Sequence, residues 1–72
     1  MTEHHQKTLA VLAKNIKRLR SELKISQETL AELAGIDRTY TSQIERGIAN
    51  PSLGVIVSIS LSLKTTIVEL LT

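Results

Sequence analysis

Six polar residues crowd one short stretch, "DRTYTSQIERG" (Asp37 to Gly47): Arg38, Thr39, Tyr40, Ser42, Gln43 and Arg46. A face built only for solubility needs Glu and Lys, whose charged heads are satisfied by water. Forked and hydroxyl side chains instead exchange directed hydrogen bonds with a specific partner. Asp37 is an acidic cap for a short helix, and Gly47 has the character of a stop. With Ile44 and Thr41 turned inward, residues three and four apart place Arg38, Thr39, Ser42, Gln43 and Arg46 on one outward stripe. The stretch is thus a helix that offers hydrogen-bonding groups along one side.

The elements that position it must come from a small chain. At 72 residues the protein is one domain, near the lower limit of what folds without help, so its core is compact or is extended by a partner subunit. Cysteine is absent, which excludes a disulfide framework, a thiolate metal site and a thiol nucleophile. The apolar fraction of 42% is ordinary, but Tyr40 is the only aromatic residue. A core of Leu, Ile, Val and Ala at helical spacing follows. Nine Lys and Arg against seven Asp and Glu leave a net charge of +2, too mild a balance to argue for nucleic acid by itself. The longest apolar tract is broken by serines and falls short of the roughly 20 residues of a membrane span, and "MTEHHQKT" has no signal-peptide core. The expected setting is the cytoplasm.

Apolar residues at Leu9, Leu12, Ala13, Ile16, Leu19 and Leu23 recur at steps of three and four, which predicts a first helix from about Thr8 to Leu23 with residues 1–7 flexible before it. Lys14, Lys17 and Arg18 occupy its outer face. Ser26 caps a second, short helix whose apolar side is Leu30, Ala31, Leu33 and Ala34; Gly35 stops it, and Ile36 follows as a buried plug. The third helix runs from the Asp37 cap to Gly47. "IANPS" is a loop, because Pro51 disfavours helical geometry at Asn50. Ser52 caps a fourth helix with Leu53, Ile56, Ile59, Ser60 and Leu63 toward the core. Thr65 or Thr66 caps a last helix carrying Ile67, Leu70 and Leu71. The expectation is an all-α domain of five helices spanning 8–72.

The segment "VIVSISLSL" also has the β-branched, alternating character of a strand, but its flanking caps and length favour a helix. On that assignment Val55, Val57, Leu61 and Val68 face outward. An exposed apolar patch on a small domain marks a subunit interface, so these four residues are the expected dimer contact.

By spacing alone, the short second helix, the turn "GIDR" and the short third helix form a helix-turn-helix. The stretch "SQETLAELAGIDRTYTSQIERGIANPSL" resembles the DNA-binding motif of the phage-repressor-like (XRE-type) family: Ser-Gln-x-x-Leu-Ala, then Gly and an aliphatic residue, then Ile-Glu-x-Gly, then Asn-Pro-Ser-Leu. The likeness reaches back to "IKRLR" and forward to "ELL", so nearly the whole chain is covered. Within the family, "DRTY…IERG…NPSL" is most similar to the small controller proteins of restriction-modification systems. The resemblance implies a compact, five-helix lambda-repressor-like domain that binds a palindromic operator as a two-fold homodimer. It implies no cofactor, metal or small-molecule ligand, and it makes RNA polymerase a further candidate partner. Thr41, where the family has an aliphatic residue, and Ser60, where alanine is common, depart from the pattern without undermining it.

The polar stripe suits that reading. An α-helix fits the major groove, where Arg pairs with guanine, Gln with adenine, and a Thr methyl touches thymine. Arg38, Thr39 and Gln43 are the expected base readers, with Ser42 and Tyr40 in reserve. Gln27, at the start of the second helix, is expected to meet a phosphate across the groove, as the matching family residue does. Arg46, Asn50 and Ser52 are expected on the other flank of the backbone, with Lys17 and Lys24 as weaker contacts. The family pairs the positions of Arg20 and Glu45 in a buried ion bridge, which explains an acid beside a DNA-facing helix.

Two rival readings are open to the same residues. Catalysis needs groups that converge in a concave site, and His4 and His5, adjacent near the N-terminus with only Glu3 close by, do not provide one. An antitoxin-like or other protein-interaction module of the same fold would use the outward Val and Leu residues to bind a different chain.

Overall fold

Every helix opens on a side-chain oxygen placed one residue before it, and the chain's architecture follows from where these caps fall. In the computed structural model, which describes residues 2–72, Thr2 accepts a hydrogen bond from His5 N at 3.1 Å and opens α1 (Glu3–Glu22). Ser26 caps α2 (Gln27–Ala34) through Thr29 N at 3.0 Å, and Asp37 caps α3 (Arg38–Glu45) through Thr39 N at 2.9 Å. Ser52 does the same for α4 (Leu53–Ser62) through Val55 N at 3.2 Å, and Thr66 for α5 (Ile67–Leu71) through Glu69 N at 3.1 Å. Each such cap satisfies an amide that has no partner inside the helix, for about 1 kcal/mol. The fold is all-α, and "VIVSISLSL" lies in α4 and the turn after it.

The first four helices end alike. A residue with positive φ, Lys24, Gly35, Gly47 or Lys64, lets the next amide reach back to a carbonyl five residues earlier. These bonds are Ile25 N to Arg20 O at 3.1 Å, Ile36 N to Ala31 O at 3.0 Å, Ile48 N to Gln43 O at 3.1 Å and Thr65 N to Ser60 O at 2.9 Å. This closing motif reverses the chain within a few residues and suits glycine, which adopts the left-handed region without steric cost. At Gly35 and Gly47 it sets the short connections on either side of α3.

The interior is made of Leu12 and Ile16 from α1, Leu30 from α2, Ile44 from α3, Ile59 from α4, Leu63 just after it, and Leu70 from α5, all 2% exposed or less. Burying each contributes about 1.5–3 kcal/mol. Leu19, Ile25, Ile36, Tyr40, Val55 and Ile56 pack partly against this cluster. Two buried hydroxyls are internally satisfied: Thr41 Oγ1 donates to Asp37 O at 3.0 Å, and Ser60 Oγ donates to Val57 O at 2.7 Å. Asn15 on α1 donates to Leu70 O at 2.8 Å and to Glu69 O at 3.2 Å, and so ties the last helix to the first.

Three expectations are corrected. The first helix begins at Glu3, not near Thr8, because local signals precede the apolar stripe: the Thr2 cap, Glu3 in the first turn and a Glu3–Lys7 ion pair at 3.3 Å. Residues 3–7 are therefore helical rather than a loose lead-in, while Met1 lies outside the described residues. Leu53 does not face the core; it is 67% exposed, and Val55 takes the inward place, half-buried against the central cluster. Helical geometry explains the exchange, since Leu53 shares its side with Val57 and Leu61, four and eight residues on. Leu33 and Leu23 are likewise on the surface rather than in the apolar stripe.

Candidate nucleic-acid interface

The third helix is held from below by an acid. Glu45 is 3% exposed, yet both of its carboxylate oxygens are satisfied. Arg20 Nε donates to Oε2 at 2.9 Å and Arg20 Nη2 to Oε1 at 3.0 Å, a two-point pairing across from α1. Gln27 Nε2 on α2 adds a third bond to Oε1 at 3.2 Å. Arg20 Nη1 also donates to Ile25 O at 3.0 Å, in the turn between α1 and α2. One carboxylate thus links α1, α2 and α3. Planar guanidinium–carboxylate pairing of this kind fixes direction as well as distance.

Above that anchor, Thr41, Ile44 and Glu45 are buried and the remaining face of α3 is polar. Arg38, Thr39 and Arg46 are exposed; Tyr40, Ser42 and Gln43 are half-buried. Tyr40 packs partly on the core, so apolar contact helps to place its ring. The structure therefore brings Arg38, Thr39, Ser42, Gln43 and Arg46 to one side of a helix whose back is locked.

The residues expected to meet backbone phosphate differ in exposure and in the bonds they already make. Gln27 stands at the first position of α2 and is half-buried, one of its amide hydrogens directed to Glu45. Its second amide hydrogen is still available to an outside acceptor. Asn50 is exposed, and its Oδ1 lies 3.1 Å from His5 Nε2. Ser52 uses its oxygen to cap α4 and keeps its hydroxyl proton for another acceptor. Lys17 and Lys24 are exposed, Lys24 in the left-handed turn that closes α1.

Of the residues expected at a dimer contact, Val57, Leu61 and Val68 are exposed, at 36%, 73% and 69%, whereas Val55 is half-buried. Leu53 completes the stripe in its place.

Sequence reasoning overlooked three members of this region. His5 bonds Asn50 from the helical extension of α1, and the "MTE" cap was the available signal. The Gln27–Glu45 bond needs the tertiary crossing of two helices, for which no local signal exists. Leu53 could have been found by continuing the Val57–Leu61 spacing one turn back.

A short helix, a glycine turn and a second short helix with a polar outer face, buttressed by α1 and followed by two capped helices, define a helix-turn-helix DNA-binding domain. Residues 16–70 match the HTH_3 helix-turn-helix family, and the chain belongs to it. The chain is 37% identical over 62 residues to the control protein C.SmaI of Serratia marcescens, covering 86% of this chain and 74% of that one. It is 39% identical over 49 residues to the immunity repressor of Bacillus phage phi105, across 68% of this chain and 34% of the repressor. Among solved structures, the restriction-modification controller C.AhdI of Aeromonas hydrophila superposes with a TM-score of 0.83 at 39% identity, over 86% of this chain and 94% of that one. The likeness to the XRE-type family is thereby shown, and the protein is a DNA-binding helix-turn-helix regulator of that type.

Proposed function

We propose that the protein is a cytoplasmic homodimeric regulator that reads a palindromic operator, in the manner of a restriction-modification controller or a phage-type repressor. The observation that carries this reading is the locked geometry of α3: its inner face is fixed by the Arg20–Glu45–Gln27 cluster while its outer face offers neutral and forked polar side chains. Arg38, Thr39 and Gln43 are assigned to base edges, with Ser42 and Tyr40 as supporting contacts. Gln27 holds phosphate on one side of the groove; Arg46, Asn50 and Ser52 hold it on the other, with Lys17 and Lys24 further out. The apolar stripe of Leu53, Val57 and Leu61 on α4, with Val68 on α5, is assigned to the two-fold contact between subunits. Bound beside a promoter, such a dimer has RNA polymerase as a further partner.

Two-fold symmetry requires the recognition helices to enter successive major grooves, about 34 Å apart. Selection of bound duplexes from a random pool, followed by sequencing, tests this directly. A palindromic consensus with half-sites one turn apart is expected. Recovery of no consensus, from a chain that remains monomeric until a different protein is added, would instead favour the interaction-module reading of the apolar stripe.

A further inference from the structure

Between α1, from Gln6 to Lys17, and the end of α3 lies an open groove of about 540 Å³. Small residues, Ala10, Ala13 and Gly47, leave it room, and Lys14, Lys17 and Arg46 line it with positive charge. Glu45 is the only acid among its lining residues, and that carboxylate is buried and already bound by Arg20 and Gln27. The other cations of α1 are differently placed. Lys7 is paired with Glu3, Arg18 with Glu22 and Arg20 with Glu45, whereas Lys14, Lys17 and Arg46 take part in no ion pair among the described residues. Unpaired cations along a concave surface focus the electrostatic field into it and attract anions. Arg46 belongs both to this groove and to the polar stripe of α3, so the groove continues the reading face without a break.

We propose that this groove seats the sugar–phosphate backbone of the operator strand that flanks each half-site, with Lys14 as a phosphate contact beside Lys17 and Arg46. The inference rests on the operator-reading function above and extends its footprint across α1. Lys14 and Lys17 are one helical turn apart, which puts their side chains on the same face, about 5–6 Å from each other at Cβ. That spacing lets the two ammonium groups reach neighbouring phosphates along one strand. The contact is to charge and not to sequence, so it adds affinity to every duplex equally.

The test is the salt dependence of binding by the full chain. Affinities of wild type and Lys14→Gln are measured by fluorescence anisotropy for the selected operator and for a scrambled duplex, from about 50 to 200 mM salt. Each phosphate contact contributes about 0.9 to the slope of log affinity against log salt. Lys14→Gln is therefore expected to flatten that slope by about 0.9, a fall in affinity roughly 3.5-fold smaller over this range, and to weaken both duplexes by the same factor. Lys64→Gln, which removes an exposed cation in the turn after α4, is the control and should leave the slope as it is. An unchanged slope in Lys14→Gln, or an equal flattening in Lys64→Gln, overturns the groove contact while leaving the operator reading in place. A wild-type chain that binds neither duplex overturns both.

Discussion

Helices α3 and α4 are both short, both capped by a single side-chain oxygen and both packed on the same core, yet they present opposite surfaces. The outward side of α3 carries Arg38, Thr39, Ser42, Gln43 and Arg46, whereas α4 exposes Leu53, Val57 and Leu61. Their inner sides differ in the complementary sense. Beneath α3 lies a buried carboxylate held by three hydrogen bonds from Arg20 and Gln27, while beneath α4 the contacts are Ile59, Leu63 and an internally bonded Ser60. A helix that must hold a set orientation toward a hydrogen-bonding partner gains from directional bonds at its back. One that is proposed to join a second copy through apolar contact needs only shape and area.

The largest expected effect breaks the apolar half of this contrast. Leu61 is 73% exposed, so Leu61→Asp should leave the subunit folded by circular dichroism. In a two-fold contact it is lost twice, and burial of a leucine is worth about 1.5–3 kcal/mol, so the dimer should weaken by roughly 3–6 kcal/mol. Sedimentation equilibrium reads this directly; an undiminished dimer would place the subunit contact elsewhere.

Next comes the anchor beneath α3. Glu45→Ala leaves Arg20 facing a buried position without its partner and removes the acceptor for Gln27, and should cost about 3–5 kcal/mol in urea unfolding. Arg18→Ala, two positions from Arg20 on α1, breaks a bridge of 3.2 Å whose side chains are 53% and 58% exposed. Its expected cost is about 0.5 kcal/mol or less. Equal costs for the two would remove the distinction between a built support and a solvated surface pair.

On the outer side of α3, Arg38→Ala should relax the choice at one operator base pair by about 1–3 kcal/mol, whereas Gln27→Ala should weaken operator and scrambled duplex alike. Competition binding with single-base variants separates these outcomes. If Arg38→Ala keeps the wild-type ratio between operator and scrambled DNA, Arg38 is not a base reader.

How much of this was legible in the sequence depended on whether the signal was local. Ser26, Gly35, Asp37, Gly47 and Ser52 act within a turn of their own position, and each marks a helix end where its residue type predicts one; of the two candidates for the last cap, Thr65 and Thr66, the second takes the place. The inward turn of Ile44 and Thr41 followed from periodicity in the same way. What failed was either an apolar bias or a tertiary contact. Starting α1 at its first buried leucine missed the Thr2 cap and hence the His5–Asn50 bond. Counting Leu53 with Ile56, three residues on, placed it inward, although its four-residue partners Val57 and Leu61 are outside. The third hydrogen bond to Glu45 depends on how closely α2 crosses α3, and neither helix shows that in its own residues.

The last effect, a small gain in stability, sharpens the contrast most. Gly54 sits between Leu53 and Val55 near the start of α4, and a Cβ added there would meet only Ser52 Oγ, at 3.9 Å. Its φ is not positive, so alanine fits the backbone and should stabilise the isolated subunit by up to about 1 kcal/mol. The same methyl group projects from the helix that supplies the apolar stripe. Thermal unfolding at concentrations below and above the dimerisation range therefore carries two signs. A gain at both concentrations means the partner leaves Gly54 open. A gain only in the monomer means that the second subunit packs close against Gly54, which extends the contact beyond the stripe of Leu53, Val57 and Leu61 to the backbone of α4. A loss in the monomer itself would contradict the geometry of α4, because nothing within the subunit obstructs the added carbon.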